Sequence, residues 1–85
     1  GRYSYLMQIK VKFFASLSEH TGLAETTVET DSPATVLDTW KLATGDQTMP
    51  VNTLCAINMA YAHQDDNISD GDEIAFFPPV TGGCA

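Results

Sequence analysis

The stretch Asp70-Gly71-Asp72-Glu73-Ile74-Ala75-Phe76-Phe77-Pro78-Pro79-Val80-Thr81-Gly82-Gly83 decides the reading of this chain. Asp70-Gly71 marks a turn: glycine takes left-handed backbone angles without a Cβ clash, and aspartate hydrogen-bonds nearby backbone. Glu73 to Phe77 follows as a strand, with Ile74 and Phe76 on one face and Ala75 and Phe77 on the other. Pro78-Pro79 ends it, because two successive residues without a backbone N–H cannot extend a ladder. A diglycine beyond the last strand has no packing value and a large ordering entropy. Its merit is access: without Cβ atoms the tail can thread a narrow channel and carry a carboxyl carbon to a buried site in another protein. A merely frayed terminus is the alternative.

Upstream, Met7, Ile9, Val11 and Phe13 alternate with Gln8, Lys10 and Lys12, the period of a half-buried strand. These first and last strands are among the most apolar and are expected at the sheet centre. Ala15 to Thr21 reads as a helical turn stopped at Gly22. Thr21-Gly22-Leu23-Ala24 then suits a hairpin-like return into a second strand, where Thr26, Val28 and Thr30 alternate with Glu25, Thr27 and Glu29. Asp31-Ser32-Pro33 announces a helix, with Ser32 capping the free N–H groups and Pro33 in the first helical position. Val36, Leu37, Trp40 and Ala43 give it one apolar face, and Gly45 closes it. Leu54 to Asn58 reads as a third strand, Tyr61-Ala62 as a brief edge strand, and Asn67 to Asp72 as turns.

Strand, strand, helix and several short strands imply an α+β domain over residues 7–81, a mixed sheet covered on one face by a helix. Residues 1–6 read as an N-terminal extension, native or added, and 82–85 as a flexible tail. Phe14 and Phe77 fall out of phase with the core residues of their strands. If those strands pair, both rings sit on the uncovered face near the tail as a partner surface, unless a loop folds them into a second core.

The bulk properties agree. Eighty-five residues with 44% hydrophobic content suffice for one core. Four Lys and Arg against eleven Asp and Glu give a net charge of −7, which disfavours nucleic acid and suits either solubility or a basic protein partner. No apolar run approaches a membrane span, the start is unlike a signal peptide, and the cytoplasm is the expected compartment. Cys55 and Cys84 are not expected to pair, and His20 and His63 share no metal-ligand spacing. Asp65, Asp66, Asp70, Asp72 and Glu73 lack the spacing of a calcium loop and read as acidic turn residues. No nucleophile or phosphate-cradling motif is present.

The quoted C-terminal stretch closely resembles the signature of molybdopterin synthase small subunits, one group of ubiquitin-like sulfur carriers. Ile9-Lys10-Val11-Lys12-Phe13-Phe14-Ala15, a short helix and Gly22 resemble the same family's opening, so the likeness spans Met7 to Gly83. It implies a ubiquitin-like β-grasp fold and a protein cosubstrate rather than an enzyme, with no bound cofactor. In such families an adenylating enzyme of the ubiquitin-activating type uses ATP to activate the terminal glycine carboxylate, here that of Gly83. A sulfur donor then converts the acyl-adenylate into a thiocarboxylate. The tail, Gly82-Gly83, enters the synthase large subunit, or another sulfur acceptor enzyme, and gives sulfur to a pterin precursor of the molybdenum cofactor. Phe14, Phe77, Pro78, Pro79, Val80 and Thr81 form the expected partner-binding set.

One departure is chemical. Most members end at the second glycine, whereas here a peptide bond joins Gly83 to Cys84, followed by Ala85. Gly83 cannot be adenylated until that bond is cut, so a precursor is expected, processed by a zinc metalloprotease of the deubiquitinase type. Attack of the Cys84 thiol on the Gly83 carbonyl is a lesser alternative, being uphill without a catalyst, and a third is that the two residues are an addition or a variant that prevents activation. Similar short extensions occur on carriers for siderophores and amino acids, which together with thiamine widens the range of acceptors. A ubiquitin-like modifier joined through Gly83 to lysines shares the same activation. An acidic binding module with a floppy tail is the bland alternative.

Overall fold

Alternation builds the sheet of the computed structural model, which describes residues 6–31 and 34–79. Strand β1 (Met7–Phe13) buries Ile9, Val11 and Phe13 and turns Gln8 and Lys10 outward. It pairs antiparallel with β2 (Glu25–Thr30), setting Ile9 opposite Val28, and parallel with β5 (Glu73–Phe77), setting Val11 opposite Ile74 and Phe13 opposite Phe76. On the other side of β5 lie β3 (Leu54–Ile57) and then β4 (Ala60–Ala62), giving the order β2-β1-β5-β3-β4. The first and last strands therefore adjoin inside the sheet, as their apolar character requires.

Two helices cover one face. Helix α1 (Ser16–Thr21) buries Leu17 and stops at Gly22, whose φ of 78° takes the left-handed cap. Helix α2 (Val36–Thr44) ends at Gly45 in the same way. Its start differs from the expectation. Ser32 and Pro33 lie outside the described residues, and the cap is Thr35: its hydroxyl accepts from the Asp38 N–H at 3.2 Å while the Asp38 carboxylate accepts from the Thr35 N–H at 3.0 Å. This reciprocal pair satisfies two otherwise orphaned donors and is worth about 1 kcal/mol. The buried face also differs. Val36 and Trp40 are fully buried, but Thr39 and Thr44 join them while Leu37 and Ala43 are only half-buried. The threonines are admissible there because each hydroxyl donates within the helix, Thr39 to Thr35 O at 3.1 Å and Thr44 to Trp40 O at 2.8 Å. Asn58, expected in the third strand, lies instead in the turn that follows it.

Between the layers sit Ile9, Val11, Phe13, Leu17, Val28, Val36, Trp40, Cys55, Ile68, Ile74 and Phe76. Trp40 meets Phe13 and Phe76 edge-on at centroid distances of 5.6 and 5.0 Å, and those two rings stack at 5.8 Å. Each such pair adds about 0.5–1.5 kcal/mol beyond simple burial. The indole N–H donates to Gln47 O at 2.8 Å, so the largest core residue leaves no polar atom unmatched. This is the two-layer β-grasp arrangement. It leaves the opposite face of β1, β5, β3 and β4 without a helix.

Candidate functional site

The period of two that buries Ile74 and Phe76 sends Glu73, Ala75 and Phe77 to the bare face. There they meet Lys12 and Phe14 from the β1 side, Ala56 from β3, and Met59 and Tyr61 from the β3–β4 hairpin. Together these eight residues line a trough of about 400 Å³. The alanines make its floor and the larger side chains its walls. Tyr61 leans on Phe77 at 5.9 Å between ring centroids, and Lys12 pairs with Glu73 at 3.2 Å across one end. That ion pair is solvent-exposed and contributes little to stability. Phe14 is 48% exposed, Tyr61 78% and Met59 95%, a concentration of exposed apolar surface of the kind that marks an interaction site.

Phe14 and Phe77 thus lie together on the open face, where their phase placed them, and neither is folded into a second core. Pro78 and Pro79 carry the chain off the end of β5 beside the trough. Val80, Thr81, Gly82, Gly83, Cys84 and Ala85 lie outside the described residues, as do residues 1–5. Sequence reasoning missed Lys12, Met59 and Tyr61 as members of this surface. The signal for Lys12 was available, since it shares the strand phase of Phe14. Met59 and Tyr61 depend on a three-residue edge strand and a tight turn that periodicity cannot resolve.

The other candidate groups have structural duties. Asp70 accepts from the Gln8 N–H at 2.8 Å, Asp72 from the Ser69 N–H at 2.7 Å, and Asp66 from the His63 N–H at 2.9 Å. These acids are turn residues, and among the described residues no His, Cys, Asp and Glu group could hold a metal ion. His20 and His63 are exposed. Cys55 is a buried free thiol facing Ala62 O at 3.2 Å. Burial, then the nearby Asp66 carboxylate, push its pKa above the ordinary thiol value. A raised pKa favours the protonated thiol in the folded state, so its contribution holds through neutral pH and declines only above the ordinary thiol range. In a chain ending at Gly83, whose single thiol is Cys55, a disulfide reagent should therefore react at neutral pH only after denaturant is added. Immediate stoichiometric reaction of the folded chain would show the thiol to be accessible. Among the described residues no helix is long and apolar enough to cross a membrane.

Comparison with known proteins agrees with this geometry. The ThiS family model matches residues 11–83, ending on the second glycine of the tail. A molybdopterin synthase sulfur carrier subunit of Escherichia coli strain K12 is 42% identical over 84 residues, covering 88% of this chain and 99% of the relative. One from Homo sapiens is 31% identical over 85 residues, covering 92% and 97%. Among solved structures, SAMP1 from Haloferax volcanii superposes with a TM-score of 0.74 at 28% identity, covering 89% of this chain and 99% of that one.

Proposed function

This chain belongs to the ThiS family, and from that premise we propose that it is a sulfur carrier of molybdopterin biosynthesis, the small subunit of a synthase whose large subunit is its partner. The observation that carries the reading is that the family match spans residues 11–83, taking in the helix-free sheet face and ending on Gly83. The carrier supplies no catalytic side chain; its own terminus is the reactant. Cleavage of the Gly83–Cys84 peptide bond by water frees a glycine carboxylate. An activating enzyme joins this carboxylate to AMP from ATP, releasing pyrophosphate and giving the acyl carbon a good leaving group. Attack by the sulfur of a persulfide donor expels AMP, and reductive cleavage of the sulfur–sulfur bond by a thiol leaves the thiocarboxylate. The trough holds the partner, and Pro78-Pro79 ends the sheet ladder ahead of the tail. An open face carrying aromatic side chains suits a partner that is bound and then released once the carrier has given up its sulfur.

The test is intact mass after incubation with ATP, a persulfide donor and a competent activating enzyme, comparing the full chain with one ending at Gly83. The shortened chain should gain the mass of one oxygen-to-sulfur exchange and the full chain none. No exchange in the shortened chain would remove the chemical basis of the carrier. The likeness to SAMP1, a protein whose fold this chain shares, favours a second reading as a protein modifier. That reading requires isopeptide-linked ladders on a denaturing gel, with Gly83 joined to lysine.

A further inference from the structure

The β3–β4 hairpin closes through only two residues, Asn58 and Met59, since Ile57 already pairs with Ala60. Both take left-handed angles, φ 51° and 72°, the geometry of the turn that matches strand twist. The second position of such a turn is the place for glycine, because a Cβ there crowds the following carbonyl. Among the described non-glycine residues with positive φ, namely Ala15, Asp46, Asn52, Asn58 and Met59, only Met59 carries a long side chain. It gains nothing for the fold in return, being 95% exposed.

The strained conformation is held from the neighbouring residue. The Asn58 side chain accepts from the Glu73 N–H at 2.9 Å and donates to the Asp72 carboxylate at 2.9 Å, while its own N–H donates to Glu73 O at 2.8 Å. Three bonds from one residue pin the hairpin tip to the root of β5, the strand that leads to the tail. Met59 is thereby presented to the trough that Lys12 and Glu73 also line.

We infer that Met59 is an affinity- and specificity-determining anchor of the docking face, fitting into an apolar hollow on the synthase large subunit, with Asn58 as its positioning residue. The inference rests on the proposed docking of that subunit against the trough. A side chain that is strained, exposed and clamped from its neighbour is one whose energetic return comes in a complex. An unbranched thioether also adapts to an irregular apolar hollow better than a branched side chain does.

The test measures two quantities of opposite sign on the full chain, melting temperature and affinity for the purified large subunit, in three variants. Met59→Gly removes the Cβ clash, so it should melt at the same temperature or up to about 5 °C higher, yet bind about tenfold to a hundredfold more weakly. Met59→Leu, similar in volume, should bind within about threefold of the parent chain. Phe77→Ala, in the adjoining wall, should weaken binding whether or not Met59 takes part. Unchanged binding by Met59→Gly beside weakened binding by Phe77→Ala overturns the anchor while leaving the docking face intact. Unchanged binding by both overturns the docking face and the anchor with it. A markedly lower melting temperature for Met59→Gly would make Met59 a structural residue and overturn the inference as well.

Discussion

A Trp40→Ala chain should lose about 3–5 kcal/mol of stability, the range for removing a large aromatic from a packed core. The expected cost lies toward the upper end because three effects coincide. The indole is fully buried, it is the edge-on partner of both Phe13 and Phe76, and its N–H satisfies Gln47 O. Truncation leaves a void between α2 and strands β1 and β5 and strands a carbonyl next to it. A domain of this size has a total of roughly 5–15 kcal/mol, so the loss is a large fraction of it. The urea midpoint checks this directly. A shift equivalent to less than about 1 kcal/mol would mean that the layers close up around the gap and that the aromatic trio is not the centre of the fold.

The second large effect concerns binding and should leave the fold nearly untouched. Ala75→Arg places a cation on the floor of the trough, directly opposite Lys12 across the β1–β5 pairing. In the free carrier the new side chain reaches solvent, so the melting temperature should move little. In the complex its charge is either buried without a partner or fills the space meant for the partner's side chain. Such a charge costs about 2–5 kcal/mol, a loss of roughly thirtyfold to several thousandfold in affinity for the large subunit. Calorimetry with the purified subunit measures it, and sulfur loading of the processed chain gives a second readout. Affinity within a few fold of the parent would place the contact surface elsewhere than the open sheet face.

Much of the fold was legible because two of its three inner strands are the ones with the clearest period. Met7 to Phe13 and Glu73 to Phe77 state in sequence which side is dry, and their pairing follows from both being apolar. Phe14 and Phe77 were found as the aromatic residues that violate that period. The start of α2 was misplaced because Ser32-Pro33 is a strong composition signal, while Thr35 and Asp38 form the less conspicuous reciprocal cap three residues apart. The buried threonines of α2 were missed because hydropathy reads a hydroxyl as a reason for exposure. Bonding back to the preceding turn cancels that reason. The hairpin wall was invisible for a different reason. Asn58-Met59 lacks the glycine that usually announces such a turn, and the geometry is imposed by bonds to Asp72 and Glu73, far along the chain.

The parallel pairing of β1 with β5 also governs when the molecule can come into being. The first strand has only β2 beside it until residues 73–77 exist, and the partner that completes its burial is the last of the described strands. Contacts so distant in sequence cannot form before both strands have been made, and closing so long a loop slows folding. Synthesis interrupted before Glu73 yields a polypeptide with no sheet interior, which proteases clear readily. Every molecule that survives to meet a partner has therefore been translated through Phe77, the root of the arm on which its chemistry depends. Biosynthesis thus has a proofreading step built into the topology: a carrier cannot persist as a folded body without the strand that bears its reactive end.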